Sequence, residues 1–224
     1  MSEQQAFLEP ERIVQSFGLK PGDHVADFGA GHGYFTIPLA RSVGSEGRVW
    51  AIDIQKPVLD IVRSKARPEH LLNIEYVWAD LEEPGRSGLA ERFMDLVLVG
   101  NILFQAERRD VVLREAWRIL REAGRLAVVE WDVSMPRLSR PLAIPEISEN
   151  SPDIAIQAGN FQKFQDGAGL EERHGNFGNG TVGPLPSARI KKEDARALAI
   201  QAGFEFDREF SAGPHHYGLL FIKR

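Results

Sequence analysis

The sequence predicts an α/β fold: a mostly parallel sheet of seven strands, helices on both faces, and an antiparallel strand at the C-terminal end. Three observations carry that expectation. Short apolar runs alternate with segments of helical periodicity through the first 131 residues, the pattern of repeated βαβ units. The first of these runs ends in the glycine turn DFGAGHG at 27–33, a strand-to-helix turn that lets backbone approach a ligand closely. The last two runs, near 204–210 and 216–224, are too close together for a crossover, so they form an antiparallel pair.

Pro10 to Phe17 has the spacing of a short helix stopped by Gly18, and Pro21, Gly22 and Asp23 turn the chain into a first strand, His24 to Phe28. A helix from about Tyr34 to Val43 follows, closed by Gly44. RVWAID at 48–53 is the second strand and ends in Asp53, 20 residues beyond Gly33. Lys56 to Ala66 is helical, with Val58, Leu59, Ile61 and Val62 as its apolar face, and Pro68 prevents its extension. The third strand, IEYVWAD at 74–80, ends in Asp80. DLVLVGN at 95–101 is a continuous apolar run, suited to a strand covered on both faces. Arg108 to Glu122 is the next helix, with Val112, Ala116, Ile119 and Leu120 on one side; Gly124 ends it, and RLAVVEW at 125–131 is the fifth strand. Lys192 to Ala202, capped by Gly203, is the last helix before the closing strands.

Residues 133–187 interrupt this rhythm. The stretch holds six of the 13 prolines and no long amphipathic period. A structureless loop of that length is unusual inside a domain, so a partly ordered lid with one short helix, Asp153 to Phe164, is expected.

With 27 Lys+Arg against 32 Asp+Glu the net charge is −5, which disfavours a general nucleic-acid coat or an anionic-membrane binder. Six arginines (108, 109, 114, 118, 121 and 125) cluster around one helix, but Glu107, Asp110, Glu115 and Glu122 interleave with them, the pattern of a salt-bridged solvated face. There is no cysteine, hence no disulfide framework, thiolate metal site or cysteine nucleophile. The N-terminus lacks the basic start and apolar core of a signal peptide, and no window approaches a membrane span. A soluble, cytoplasmic protein without membrane insertion is expected.

The spacing of the glycine turn narrows the ligand. A dinucleotide fingerprint is G-x-G-x-x-G; here the third glycine comes one residue early and Tyr34 stands where that pattern places Gly. An acid two residues before the first glycine, Asp27, suits a ligand bearing an ammonium group better than a diphosphate. D-x-G-x-G-x-G at a strand end resembles the first motif of the class I S-adenosylmethionine (SAM) methyltransferases. With the acids and amide at the next three strand ends, the chain is similar to the small-molecule group that includes the ubiquinone and menaquinone biosynthesis methyltransferases. The resemblance leaves out only the first few residues and 133–187, and implies a Rossmann-like SAM-binding domain of 1–132 and 188–224 with 133–187 inserted. The absence of cysteine sets the chain apart from one relative, arsenite methyltransferase.

The resemblance also implies roles. Asp27 would lie near the methionine amino group, with Gly29, Ala30, Gly31 and Gly33 shaping the pocket. Asp53 would accept both ribose hydroxyls, a bidentate arrangement suited to a carboxylate. Asp80, followed by Leu81, would take the adenine amino group, although Asp80 could instead cap the following turn. Gly100 and Asn101 would hold the amino-acid end of the cofactor, and Ile54 and Ile102 would line the adenine pocket. His32, inside the turn, would be a solvated or cofactor-rim residue.

Catalysis is less legible. Methyl transfer from a sulfonium needs alignment and exclusion of water, with a base only for a hydroxyl or weakly acidic carbon acceptor. Glu130 and Asp132 after the fifth strand and His215, His216 and Tyr217 in the closing turn are candidates, with His174 in the insertion as another. Metal-dependent relatives carry a carboxylate where this chain has Asn101, so no metal is expected. The reading is transfer to a small, partly apolar acceptor, with no oligomeric state implied. An RNA or protein methyltransferase and a non-catalytic SAM-binding protein are the alternatives.

Overall fold

The computed structural model describes residues 9–135, 138–139 and 181–224. Two units are distinguished, Met1–Val133 with Arg189–Arg224, and Ser134–Ala188. In the second, Leu138–Ser139 and Thr181–Val182 pair antiparallel; the expected helix at 153–164 and His174 lie outside the described residues.

The first unit holds strands β1 (His24–Phe28), β2 (Arg48–Asp53), β3 (Ile74–Trp78), β4 (Met94–Gly100), β5 (Leu120–Trp131), β6 (Glu205–Ser211) and β7 (His216–Ile222). Its helices are α1 (Pro10–Ser16), α2 (Thr36–Val43), α3 (Lys56–Ala66), α4 (Arg109–Ile119) and α5 (Lys192–Gln201). The strands form one sheet in the order β3-β2-β1-β4-β5-β7-β6. β1 to β5 are mutually parallel, and β7 runs antiparallel between β5 and β6. Strand order reverses between β1 and β4, and in open α/β sheets ligands bind beyond the carboxyl ends of the strands at such a switch point.

β4 shows why both faces must be covered. Its residues Met94 to Val99 are all buried, and a period of two sends them alternately to opposite sides. Val97 and Val99 join Val112 and Ala116 of α4 and Ala195 and Ala199 of α5. Leu96 and Leu98 join Ile13 of α1, Leu39 of α2, and Leu59 and Val62 of α3. Each fully buried side chain of this kind contributes about 1.5–3 kcal/mol.

One helix boundary differs from the sequence expectation. α4 stops at Ile119 rather than Glu122, because Leu120 is already extended (φ −69°, ψ 137°) and pairs with Met94. The terminator is remote: Lys223 donates through Nζ to the carbonyls of Trp117 and Leu120 at 2.8 and 2.7 Å, satisfying the helix end with a cation. β3 likewise ends at Trp78, two residues before Asp80, and α2 begins at Thr36, so the glycine turn is longer than expected.

Candidate functional site

The turn after β1 is held by its neighbour strand. The Gly29 and Ala30 amides both donate to the Ile52 carbonyl, at 2.9 and 3.0 Å. Gly29 has φ +75°, and a Cβ there would lie 2.1 Å from Cγ2 of Ile102, so only glycine lets the loop after β4 close onto the turn. Gly31, with φ +48°, faces open space: a Cβ there would meet nothing nearer than the Gly29 carbonyl at 3.9 Å. Its amide donates to Asp53 Oδ2 at 2.9 Å, while Asp53 Oδ1 accepts the Gln55 amide at 2.8 Å. Asp53 therefore ties the glycine turn to the start of α3.

Asp27 lies beneath the turn and is 2% exposed. Thr36 donates its hydroxyl to Asp27 Oδ2 at 2.6 Å. Burial pushes this carboxyl up to about 7, against the Thr36 hydrogen bond and with added repulsion from Asp53. His32 is held below its ordinary range by burial and then by Lys65, whose Nζ donates to the His32 carbonyl at 2.9 Å.

At β3 the sequence-expected acid is used differently from Asp53. Asp80 Oδ1 accepts the Glu82 amide at 2.9 Å, forming a local turn, so only Oδ2 is left outside it. Glu82 in turn accepts the Arg108 amide at 2.6 Å, just ahead of α4. Leu81 is buried and Ile54 exposed. Beside Ile54 stands Trp78, 66% exposed, with its indole donating to the Ile54 carbonyl at 2.8 Å. Sequence reading missed Trp78, Tyr34 (also exposed) and Thr36; an aromatic one pleat before Asp80 was the available signal for Trp78.

After β4, Asn101 adopts φ +57°, a left-handed conformation that Asn tolerates better than most residues. Its amide donates to the Val129 carbonyl at 2.8 Å, and its side-chain Oδ1 is buried without a hydrogen-bond partner among the described residues. Gly100 sits against the Phe35 ring, 3.4 Å from where a Cβ would stand.

The ends of β5 and β7 bring together the catalytic candidates other than His174. Glu130 faces Tyr217 across the ladder, and Trp131 faces His216. Glu130 is fully buried; its Oε1 accepts the Leu103 amide at 2.6 Å and its Oε2 has no partner among the described residues. Burial pushes it up to about 8, against the backbone amides of Leu103, Phe104 and Ile102 and the charge of Arg109. His216 stacks on Trp131 with centroids 4.3 Å apart, and burial, then His215 and Arg189, push it down to about 4. Tyr217 donates to the Ile190 carbonyl at 3.1 Å and burial raises its phenol far above the usual range. The Asp132 amide donates to the His215 carbonyl at 2.9 Å, and Arg189 donates to the Asp132 carbonyl at 2.6 Å. Glu130 and His216 are thus uncharged at neutral pH.

These residues fit the cofactor implied by the resemblance. The orphaned Oδ1 of Asn101 is an acceptor in want of a donor, Gly31 leaves its side of the turn open, and the Asp53 carboxylate has lone pairs beyond the two in use. Among the described residues no group of three or more His, Asp or Glu is placed to hold a metal ion.

A family model described as a methyltransferase domain matches residues 26–128. Over that span the chain is similar to methyltransferase domains. The matched span runs from β1 to β5 and includes every residue expected to touch cofactor, whereas Glu130, Asp132 and His215–Tyr217 lie outside it. A ubiquinone/menaquinone biosynthesis C-methyltransferase of Vibrio campbellii is 33% identical over 119 residues, 53% of this chain and 45% of that protein. The counterpart from Yersinia pestis is 30% identical over 133 residues, 59% of this chain and 49% of that protein. The chain spans about half the length of these curated relatives. In fold, the chain is similar to a SAM-dependent methyltransferase from Aquifex aeolicus: TM-score 0.71 at 19% identity, covering 97% of this chain and 90% of that one. The cyclase SpnF is also similar, with TM-score 0.60 at 14% identity over 95% of this chain and 84% of that one. Fold alone therefore leaves the reaction to the site. Among the described residues, no helix is long and apolar enough to cross a membrane.

Proposed function

We propose that this chain is a cytoplasmic enzyme that transfers a methyl group from SAM to a small, partly apolar acceptor. The observation that carries this reading is Asp53, whose two oxygens fasten the Gly31 and Gln55 amides and set its carboxyl group at the end of β2. In this reading Asp53 receives the ribose hydroxyls, beside the shelf of Ile54 and Trp78. Asp27 Oδ1, the oxygen Thr36 leaves open, faces the ammonium group. Gly100, Asn101 and Ile102 border the amino-acid end, and Asp80 and Leu81 the adenine.

When bound, the cofactor supplies a sulfonium-activated methyl group. The chain's own work is alignment and desolvation. His216 and Glu130, neutral at pH 7, and Tyr217, whose hydroxyl is engaged, place little charge beside an apolar acceptor. A small molecule is favoured over RNA because arginines of α4 and the start of β5 are already engaged. Arg114 pairs with Asp110, Arg118 with Glu115 and Arg121 with Asp95.

Isothermal titration of the purified protein with SAM and S-adenosylhomocysteine tests the cofactor; absence of binding overturns the reading. Transfer of labelled methyl groups from SAM into a cell extract then reads the acceptor. Label in the small-molecule fraction supports the proposal, and label confined to RNA or protein, or no transfer, refutes it.

A further inference from the structure

The backbone groups of one residue, Leu103, are gripped from opposite sides by ionisable side chains. Its amide donates to Glu130 Oε1 at 2.6 Å, and its carbonyl accepts Arg109 Nε at 2.6 Å. Arg109 Nη2 also reaches the next carbonyl, Phe104, at 3.5 Å. Leu103 is fully buried, so neither group has water to fall back on. The N–H and C=O of one residue belong to adjacent peptide groups, so the two side chains fix the peptide planes on either side of Leu103.

The gripped backbone belongs to the loop that meets the glycine turn. Ile102 is the residue whose Cγ2 occupies the space a Cβ on Gly29 would need. The start of the loop is pinned by the Asn101 amide on the Val129 carbonyl, and its next turn by the Ala106 amide on the Ile102 carbonyl at 3.0 Å. Between those pins, the hydrogen bonds that hold the Leu103 backbone among the described residues come from side chains. Burying Glu130 is costly, and its second oxygen gains no partner among the described residues; a well-packed neutral side chain would fill the site at less cost. The carboxyl's placement answers to the loop.

We propose that Glu130 and Arg109 form a clamp on the backbone either side of Leu103 that presses the loop after β4 onto the glycine turn and thereby sets cofactor affinity. The proposal rests on the cofactor reading above. Both are positioning residues, acting through Ile102 and Asn101. The clamp tightens when Glu130 ionises, because a charged acceptor binds the amide more strongly than a neutral one. The charged and titratable groups around Glu130 are Arg109 of α4, Tyr217 of β7, and Asp132 and His216 at the same strand ends, with Glu193 and Asp194 of α5 acting on Tyr217. Burial lifts Glu130 to about 8.

The test is Glu130→Gln, which keeps an acceptor for the Leu103 amide but never carries charge, beside Arg109→Gln. S-adenosylhomocysteine affinity is measured calorimetrically from pH 6 to 9, and amide exchange at Leu103 and Phe104 by NMR. Glu130→Gln is expected to match the wild type at pH 6 and to bind roughly tenfold more weakly at pH 9. Arg109→Gln is expected to bind more weakly at every pH. Exchange should quicken at Leu103 and Phe104 in both variants at pH 9, with the rest of the sheet unchanged. An affinity profile for Glu130→Gln that follows the wild type across the range overturns the clamp, as does exchange that quickens uniformly. If the wild type does not bind the ligand, the cofactor reading fails by itself. The clamp is then judged by exchange: unchanged Leu103 protection in Glu130→Gln at pH 9 overturns it.

Discussion

Asp53 at the end of β2 and Glu130 at the end of β5 are both buried carboxyls that accept backbone amides, yet the two halves of the sheet edge treat them differently. Asp53 has an amide on each oxygen, from Gly31 and Gln55. Glu130 has amides converging around one oxygen and nothing on the other among the described residues, and burial lifts it to about 8. Asp27, with the Thr36 hydroxyl as its side-chain donor, is lifted by burial to about 7. A buried carboxyl takes up a proton when desolvation outweighs its donors. The β1–β2 half of the edge thus holds its carboxyl oxygens on separate donors, and at the β5–β7 half burial favours the neutral forms of Glu130 and His216. Under the proposed reading, a cationic cofactor belongs at the first and an apolar acceptor at the second.

Substitution at Asp53 should break this contrast most severely. In Asp53→Asn one side-chain oxygen becomes an NH2 group, which meets an amide donor with another donor. The loss of one charge-assisted bond and the stranding of a buried N–H should together cost about 4 kcal/mol in urea unfolding. S-adenosylhomocysteine affinity should fall by about 100-fold. A variant that unfolds at the wild-type midpoint and binds normally would show that Asp53 is not the anchor of the glycine turn.

Glu130→Gln sharpens the contrast by moving stability the other way. The folded-state carboxyl binds its proton more tightly than an unfolded one, so stability is fully present below about 4.5, declines as pH rises to about 8, and is level above. Gln removes that decline. Ionising the buried carboxyl costs about 5 kcal/mol by pH 9 and the buried Gln amide gives back about 2, so the variant should be the more stable protein at pH 9 by about 3 kcal/mol, with the advantage vanishing near pH 6. Asp27 titrates in both proteins and cancels in the difference. Paired with the weaker ligand binding expected at the same pH, a rise in stability separates a functional carboxyl from a merely structural one. Equal unfolding curves at pH 9 would mean that Glu130 is not buried neutral.

Thr36→Val tests the third carboxyl, Asp27, and should cost about 2 kcal/mol, the loss of a hydrogen bond to a charged group. Removing a donor that favours the carboxylate raises Asp27 further. The decline of stability with pH, which for this group lies between about 3.8 and 7 in the wild type, should extend to higher pH. Binding of SAM through its ammonium group should set in at correspondingly higher pH. A pH profile superimposable on the wild type would remove Thr36 from the site.

How much of this was legible in the sequence depended on the range of the forces involved. β1, β2 and α3 have the expected boundaries, because their signals are local: a glycine turn, an apolar run ending in Asp53, and a helix with Pro57 in its first turn. The end of α4 was not legible, since its carbonyls are satisfied by Lys223, 103 residues after Leu120. At the site, the order of Asp27, Asp53, Asp80 and Asn101 along the strand ends could be read, and the likeness to methyltransferases with it. What each carboxyl does with its oxygens could not. Asp80 folds one onto its own turn, as a local alternative had allowed, while Glu130 reaches an amide 27 residues earlier in the chain. Spacing locates a functional group, but its charge is decided by donors brought from other strands.

Asn101 offers the smallest and cleanest test of the comparison, because it shares the feature that sets Glu130 apart, a buried oxygen without a partner among the described residues. Its backbone is left-handed at φ +57°, so glycine fits without strain while alanine does not. Asn101→Gly relieves the backbone and removes the orphaned acceptor, but adds entropy to the unfolded chain. The sum should lie within about 0.5 kcal/mol of the wild type, whereas Asn101→Ala should lose about 1 kcal/mol. If the orphaned oxygen is there to receive a donor from the ligand, S-adenosylhomocysteine should bind Asn101→Gly about tenfold more weakly despite unchanged stability. Wild-type affinity in that variant would place the amino-acid end of the cofactor elsewhere, and the unpaired oxygen of Asn101 would then be simply the local cost of a turn that Glu130 and Arg109 hold in place.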